Sequence, residues 1–327
     1  MGLLRRQRAR ADGNVIELYY ASDIHGSDVL WRKFLNARKY YGVDALIMGG
    51  DLVGKAVVPI AEAGGEYRAR FLGEDRTAKT RDELEALVAA IRFNGFYSWV
   101  SSPEEIVKHN QSAPAQAELF DRLVATDVAD WVRLADERAN GSGRHAFVIA
   151  GNDDPWFVDD ILRGSTSLVM CDDQIVRVGD HEMVSLSYAN PTPWKSEREL
   201  SENDLYERIK RLASQLDQPE RAILNLHVPP YDSTLDRAVK INDDLTPVYD
   251  GGVPLEVPVG STAVRQIIEE YQPLLALHGH IHESRGDVRI GRTLAINSGS
   301  EYNSGRLHGV TVKLGTDSVV SHQFVVG

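Results

Sequence analysis

The chain has 327 residues, 43% of them hydrophobic and 26% charged, with a formal net charge of -12, the profile of a soluble globular protein with room for one large core or two smaller ones. No run approaches the ~20 consecutive apolar residues of a membrane span, and the negative balance disfavours long nucleic acid while leaving room for a small phosphorylated substrate beside a metal. The single cysteine, Cys171, excludes an internal disulfide and a thiolate metal cage, and it fits a cytoplasmic setting.

Met1 to Gly13 carries Arg5, Arg6, Arg8 and Arg10 with no apolar run behind them, so it lacks a secretory core and reads as a mobile tail ahead of a single domain over 14-327. Asn14 to Tyr20, rich in β-branched and aromatic residues, predicts a strand running into Asp23-Ile24-His25. Ser27 or Asp28 caps a helix whose apolar face is Leu30, Trp31, Phe34, Leu35 and Tyr41. Ala45 to Met48 predicts the next strand, ending in Gly49-Gly50-Asp51. Strand, helix and strand with a polar residue at each strand end is the pattern of an α/β sheet whose ligands lie beyond its carboxyl edge.

From Lys55 to Arg144 the alternation stops, and 55-144 reads as an inserted cap. It predicts a hairpin, Val57 to Glu62 and Tyr67 to Leu72 around Gly64-Gly65, then helices over Thr80 to Phe93 and about Pro114 to Asn140. Such a segment serves equally as a lid or as a dimerisation surface, which leaves a homo-oligomer open. Ala146 to Ala150 resumes the buried strands and delivers Gly151-Asn152-Asp153-Asp154. Strands over Gln174 to Val178 and Met183 to Tyr188 lead to the stiff loop Asn190 to Trp194, and a helix over Glu199 to Leu216 precedes the strand Ala222 to Leu226, which ends on His227. A loop over Tyr231 to Val259 and a helix over Ser261 to Tyr271 precede the buried strand Pro273 to Leu277, which carries His278-Gly279-His280-Ile281-His282. A tight reversal at Arg289 to Thr293 and a hairpin over Val310 to Val326 complete the chain.

The strand ends thus present Asp23, His25, Asp51, Asn152, His227, His280 and His282, oxygen and nitrogen donors from five separate places. Two divalent ions ~3.5–4 Å apart need such a set, with one carboxylate shared between them, and Asp51 is the natural bridge. These blocks, Asp-x-His, Gly-Gly-Asp, Gly-Asn, a lone His after a strand and Gly-His-x-His, stand in the order of the calcineurin-like metallophosphoesterase family, which the chain resembles from about Asn14 to Asn297. The resemblance implies a two-sheet α/β sandwich flanked by helices, here with 55-144 as a largely helical insertion. It implies that Asp23, His25 and His282 hold one metal, that Asn152, His227 and His280 hold the other, and that Asp51 bridges them. The ions expected for nitrogen and oxygen ligands are Mn, Fe, Zn or Co.

One block departs from the family: Asp153 stands where a histidine usually follows the asparagine. In the family that histidine is thought to offset phosphate charge or protonate the departing oxygen. Asp153, the candidate catalytic residue here, has an ordinary pKa of ~3.9, which a metal pair lowers further, so it seldom holds a proton to give. The expected activity is metal-dependent hydrolysis of phosphate esters by a metal-bridging hydroxide, with phosphodiesters or nucleotides, whose leaving anions are stable, preferred over monoesters. A metal-binding sensor or scaffold with weak or no turnover is the alternative. Asp44, Asn225 and His278 are candidates to orient the imidazoles, though His278 reads more readily as structural. Trp156, Trp194 and Tyr302 read evenly as base-stacking or as packing residues.

Overall fold

The computed structural model describes residues 15–139, 141, 146–242 and 244–327. The expected tail, the first residue of the expected first strand (Asn14), the helix end at Asn140 and the insertion bound at Arg144 lie outside the described residues.

Two six-stranded sheets form the body of the protein. The first runs Val319–Val326, His308–Leu314, Ile16–Ala21, Ala45–Gly49, Ala146–Ile149, Leu168–Met170, and its last four strands are parallel. The second runs Gly286–Ile290, Thr293–Asn297, Leu275–His278, Ile223–Leu226, His181–Leu186, Gln174–Val178, and its middle four are parallel. Parallel order brings the carboxyl ends of neighbouring strands to one edge, so each polar tip that follows an apolar run arrives beside the others.

Alternation along each strand decides which core a side chain enters. Leu18, Tyr20, Ile47 and Ile149 join Ile223, Leu275, Leu277 and Ile296 in the layer between the sheets. Their neighbours Tyr19, Ala21, Met48 and Val148 face the helices Asp28–Tyr41 and Ala113–Ala139 through Trp31, Phe34, Val128 and Trp131. On the far side Val184, Leu186, Leu224 and Ala276 pack against Glu202–Ala213 and Thr262–Tyr271. Both faces of the central strands are therefore buried, which is why they read as unbroken apolar runs rather than alternating ones. Each fully buried Leu, Ile or Phe contributes ~1.5–3 kcal/mol. The protein is an α/β sandwich flanked by helices.

The first helix begins where its sequence says it must: the Ser27 hydroxyl accepts the Leu30 amide at 3.4 Å, and Gly42 ends the helix at φ +71°. Within the segment read as an insertion the expected hairpin is present as Val57–Ala63 and Glu66–Phe71. It belongs to a four-stranded sheet completed by Glu74–Ala78 and Tyr97–Ser101, over which Leu84 and Ile91 of the helix Arg81–Phe93 close a small core with Val58, Ile60 and Phe71. Glu74–Ala78 carries no apolar alternation, since Glu74 to Thr77 are all exposed, and only pairing with the hairpin makes a strand of it. The helices Pro103–Asn110 and Phe157–Arg163 and the strand Leu168–Met170 are likewise additions to the sequence reading. Among the described residues no helix is long and apolar enough to cross a membrane.

Candidate metal centre

The tip of the first strand is laced to the tip of the second: the amides of Asp23, His25 and Gly26 donate to the carbonyls of Gly50, Asp51 and Leu52 at 2.9, 3.0 and 2.7 Å. The two sheets are joined by the His280 amide, which donates to the Asp23 carboxylate at 3.0 Å, and within the second sheet the Gly279 amide reaches the His227 carbonyl at 3.0 Å. Asp23, His25, Asp51 and His280 all adopt left-handed backbone, with φ of +57°, +39°, +51° and +65°. Asp and His tolerate this region better than most side chains, yet each such residue still costs on the order of 1–2 kcal/mol. That cost is concentrated where the turns aim polar side chains back at one point.

Glycine is required where these turns crowd together. A Cβ at Gly151 would lie 2.0 Å from Asp51 Oδ1, and one at Gly279 would lie 2.3 Å from Asp23 Oδ2. Gly279→Ala is expected to displace the Asp23 carboxylate and weaken divalent-metal binding by about tenfold or more, in line with the loss of one well-placed ligand contact. Metal titration followed by calorimetry checks this, and unchanged affinity would show that the crowding relaxes harmlessly.

All seven residues named from the strand ends meet here. Donor atoms of Asp23, His25, Asp51 and His282 lie within 4.8 Å of one another, as do those of Asp51, His227 and His280, so the two groups share Asp51. Asn152 joins the second group through its Oδ1, 3.0 Å from His227 Nε2. Apart from His280 and His282, which are part exposed, the residues are almost entirely withdrawn from solvent.

The donor chemistry fits divalent cations. His227 Nδ1 donates to the Gly49 carbonyl at 2.8 Å, so the neutral ring turns the lone pair of Nε2 toward Asp51 Oδ1 at 3.3 Å and Asn152 Oδ1 at 3.0 Å. Three acceptors then converge with nothing positive between them, an arrangement that only a proton or a cation makes favourable. His25 Nε2 and His282 Nε2 face each other at 2.9 Å beside Asp23 and Asp51, and the other His25 nitrogen, Nδ1, is buried without a partner. Nitrogen and oxygen ligands without thiolate suit borderline first-row ions.

The titration behaviour reports the same concentration of negative charge. A proton on His227 Nε2 meets the same need as a cation there: burial by itself pushes His227 down, but the Asp51 carboxylate outweighs burial and holds it up at about 10. Burial likewise works to raise Asp23, yet the hydrogen bond and charge of His282 hold it down at about 2. His280 drops to about 4, first through burial and then through the charge of a protonated His227.

Asp153 sits at the rim, where its Oδ2 pairs with Lys55 Nζ and its Oδ1 accepts from Asn152 Nδ2 at 2.9 Å and Ser196 Oγ at 3.0 Å. Its carboxyl is pushed up, first by the Asp51 charge and then by burial, against the pull of Lys55. The expectation of a lowered value counts the metals and omits the neighbouring carboxylate. Asp154, adjacent in sequence, turns inward: fully buried, it accepts from the amides of Leu52, Val53 and Gly151 at 3.0, 2.8 and 2.7 Å and so pins the Asp51 turn to the Asn152 turn.

None of the three candidates for orienting imidazoles does so. Asp44 accepts the Glu17 amide at the opposite end of the strands, Asn225 donates to Ser185, and His278 donates to the Leu226 carbonyl at 2.8 Å. Trp156 packs instead beneath Arg198, whose guanidinium lies 4.2 Å from the ring centroid, and against Tyr188. Arg198 is itself fully buried and clamps this loop, donating to the carbonyls of Asp154 and Pro155 and to Asp159. Tyr302 lies against the rings of His25 and His282, 4.7 and 5.7 Å between centroids, and Trp194 stands two-thirds exposed on the wall of a cleft of about 900 Å³. That cleft opens from Asp51, Asn152, His280 and His282 past Lys55 to Pro191, Pro193, Val239 and Val257. The sequence reading names neither Lys55 nor Ser196 as a site residue, and no spacing signals them: each reaches the site through the path of a loop.

No protein-family model matches the chain. An uncharacterized protein of Methanocaldococcus jannaschii is 27% identical over 128 residues, 38% of this chain and 51% of that protein, so the chain spans about half the length of the curated relative it matches. The crystal structure of TT1561 of Thermus thermophilus overlaps with a TM-score of 0.50 at 13% identity, covering 96% of this chain and 99% of that one. YfcE, a phosphoesterase from E. coli, overlaps more loosely, with a TM-score of 0.33 at 13% identity over 94% of this chain and 98% of that one. At such identities the overlap with TT1561 bears on the fold, and the class that fold and site define is an α/β sandwich with a largely buried cluster of residues that could hold metal ions at its strand ends.

Proposed function

We propose that the chain is a dinuclear metal-dependent phosphoesterase acting on small phosphate esters, phosphodiesters or nucleotides before monoesters. The observation that carries this is the pair of ligand groups sharing Asp51 at the head of an open cleft. In this reading Asp23, His25 and His282 hold one ion, Asn152, His227 and His280 hold the other, and Asp51 spans them. When bound, such a pair supplies an acidified water as nucleophile and positive charge for the phosphoryl oxygens.

The chain's own residues do the positioning. Gly49, by accepting from Nδ1, fixes the tautomer that frees His227 Nε2 for the site. Asp153 and Ser196 accept the Asn152 amide hydrogens and thereby aim its oxygen inward. Asp153, paired with Lys55, is in no position to release a proton readily, so departing groups that leave as stable anions are favoured. Lys55 also cancels the charge through which Asp153 would repel a dianionic monoester. The preference for diesters therefore rests on the leaving group and on the cleft, which has room for a second ester substituent.

The test is hydrolysis of bis(p-nitrophenyl) phosphate by protein supplied with Mn2+, before and after chelation. Turnover that disappears with chelator and returns with metal is expected. Phosphate-ligand binding without turnover under Mn, Fe, Zn or Co would replace the enzyme by the sensor or scaffold reading.

A further inference from the structure

Lys55 lies four residues beyond Asp51, in a loop that turns back over the site instead of leaving with the inserted segment. Its backbone is pinned by that segment: the Lys55 amide donates to the Gly95 carbonyl at 3.3 Å, and the Gly54 amide donates to the Tyr97 hydroxyl at 3.0 Å. Its ammonium meets Asp153 Oδ2, while the other Asp153 oxygen is held by Asn152 and Ser196. Held in this way, a long flexible side chain has lost most of its rotamer freedom before any ligand arrives. Two lysines line the cleft among the described residues, and of these Lys55 is the one tied to the Asn152 turn, with its side chain still 37% exposed. An ammonium kept at the mouth of a site that gathers the carboxylates of Asp23, Asp51 and Asp153 retains free donors, because one carboxylate oxygen occupies only part of its capacity of three.

We propose that Lys55 contacts the non-bridging oxygens of the substrate phosphate, with Asp153 as the residue that positions it. The proposal rests on the phosphoesterase reading of the same site. It assigns the inserted segment a part in the chemistry, as the buttress that returns Lys55 to the cleft. It also accounts for Asp153, a carboxylate that would oppose an incoming anion without its lysine. The ligand class is a phosphate anion, whether the monoanionic phosphodiester itself or the released monoester.

The experiment compares Lys55→Met and Lys55→Arg with the unaltered full-length chain loaded with Mn2+. Three quantities are read: bound metal per chain, the dissociation constant of inorganic phosphate by calorimetry, and kcat/KM for bis(p-nitrophenyl) phosphate. Loss of a charged hydrogen bond to phosphate predicts that Lys55→Met weakens phosphate binding and lowers kcat/KM by roughly 10- to 100-fold, with metal content and melting temperature unchanged. Lys55→Arg keeps the charge and is expected to recover part of both losses. Phosphate affinity and kcat/KM within twofold of the unaltered protein in Lys55→Met would overturn the assignment while leaving the enzyme reading intact. So would a loss that tracks depleted metal. An unaltered protein that neither turns over the diester nor binds phosphate would overturn both.

Discussion

Asp51→Ala is expected to remove bound divalent metal and to reduce diester turnover by on the order of a thousandfold or more. Among the described residues Asp51 alone belongs to both candidate ligand groups: its Oδ2 stands 3.6 Å from His25 Nε2 and its Oδ1 3.3 Å from His227 Nε2. Truncation leaves each group one anionic donor short at once, and among the described residues no other carboxylate belongs to both groups. Asp153 is turned outward to Lys55, and Asp154 is spent on backbone amides. Loss of a single preorganised charge-stabilising contact in an active site commonly costs 10²–10³ in rate, roughly 3–4 kcal/mol, and here two ion positions fail together. Metal content measured beside turnover decides the matter. A variant that kept its full metal complement and turned over within about tenfold of the unaltered protein would show that the two groups do not depend on this carboxylate.

Asp154→Ala is expected to be the most damaging change to stability near the site, costing on the order of 3 kcal/mol. The side chain is fully buried, and its loss leaves the amides of Leu52, Val53 and Gly151 without partners, each worth ~1–3 kcal/mol when orphaned, with relaxation returning part of the sum. These amides belong to the two turns that carry Asp51 and Asn152, so turnover should fall as well although Asp154 touches neither metal position nor substrate. Asp154→Asn keeps one acceptor but turns an N–H toward donors, and an intermediate loss is expected. Denaturant unfolding in the presence of chelator isolates the stability effect from metal binding. A cost under about 1 kcal/mol for the alanine variant would mean that the turns hold themselves.

Much of the site's location was legible because of how doubly covered parallel sheets are written. Strands such as Ala45–Gly49 and Ala146–Ile149 are buried on both faces, hence uniformly apolar, and a polar residue just past such a run marks a strand tip. The helix starts were legible too, since Ser27 and Ser261 cap at short range. Contacts between loops were not. Nothing in the order of residues distinguishes Asp153, facing Lys55, from Asp154, facing three amides, because the difference is one of orientation at a turn. Trp156 read evenly as a stacking or a packing residue, and it packs on Arg198 some forty residues later, a contact that depends on where the Pro191 loop returns. Glu74–Ala78 escaped notice as a strand because its side chains bury almost nothing and its partner supplies the hydrogen bonds.

The sequence by itself determined which apolar runs become buried strands and which polar residues follow them, because burial on two faces and local capping act over a few neighbouring residues. The tertiary structure alone decided which of those tips meet within bonding distance, that a left-handed turn at Asp51 aims its carboxylate at two clusters, and that Lys55 is folded back over the result. Those outcomes depend on sheet order and loop closure across more than a hundred residues, where no local spacing carries the information.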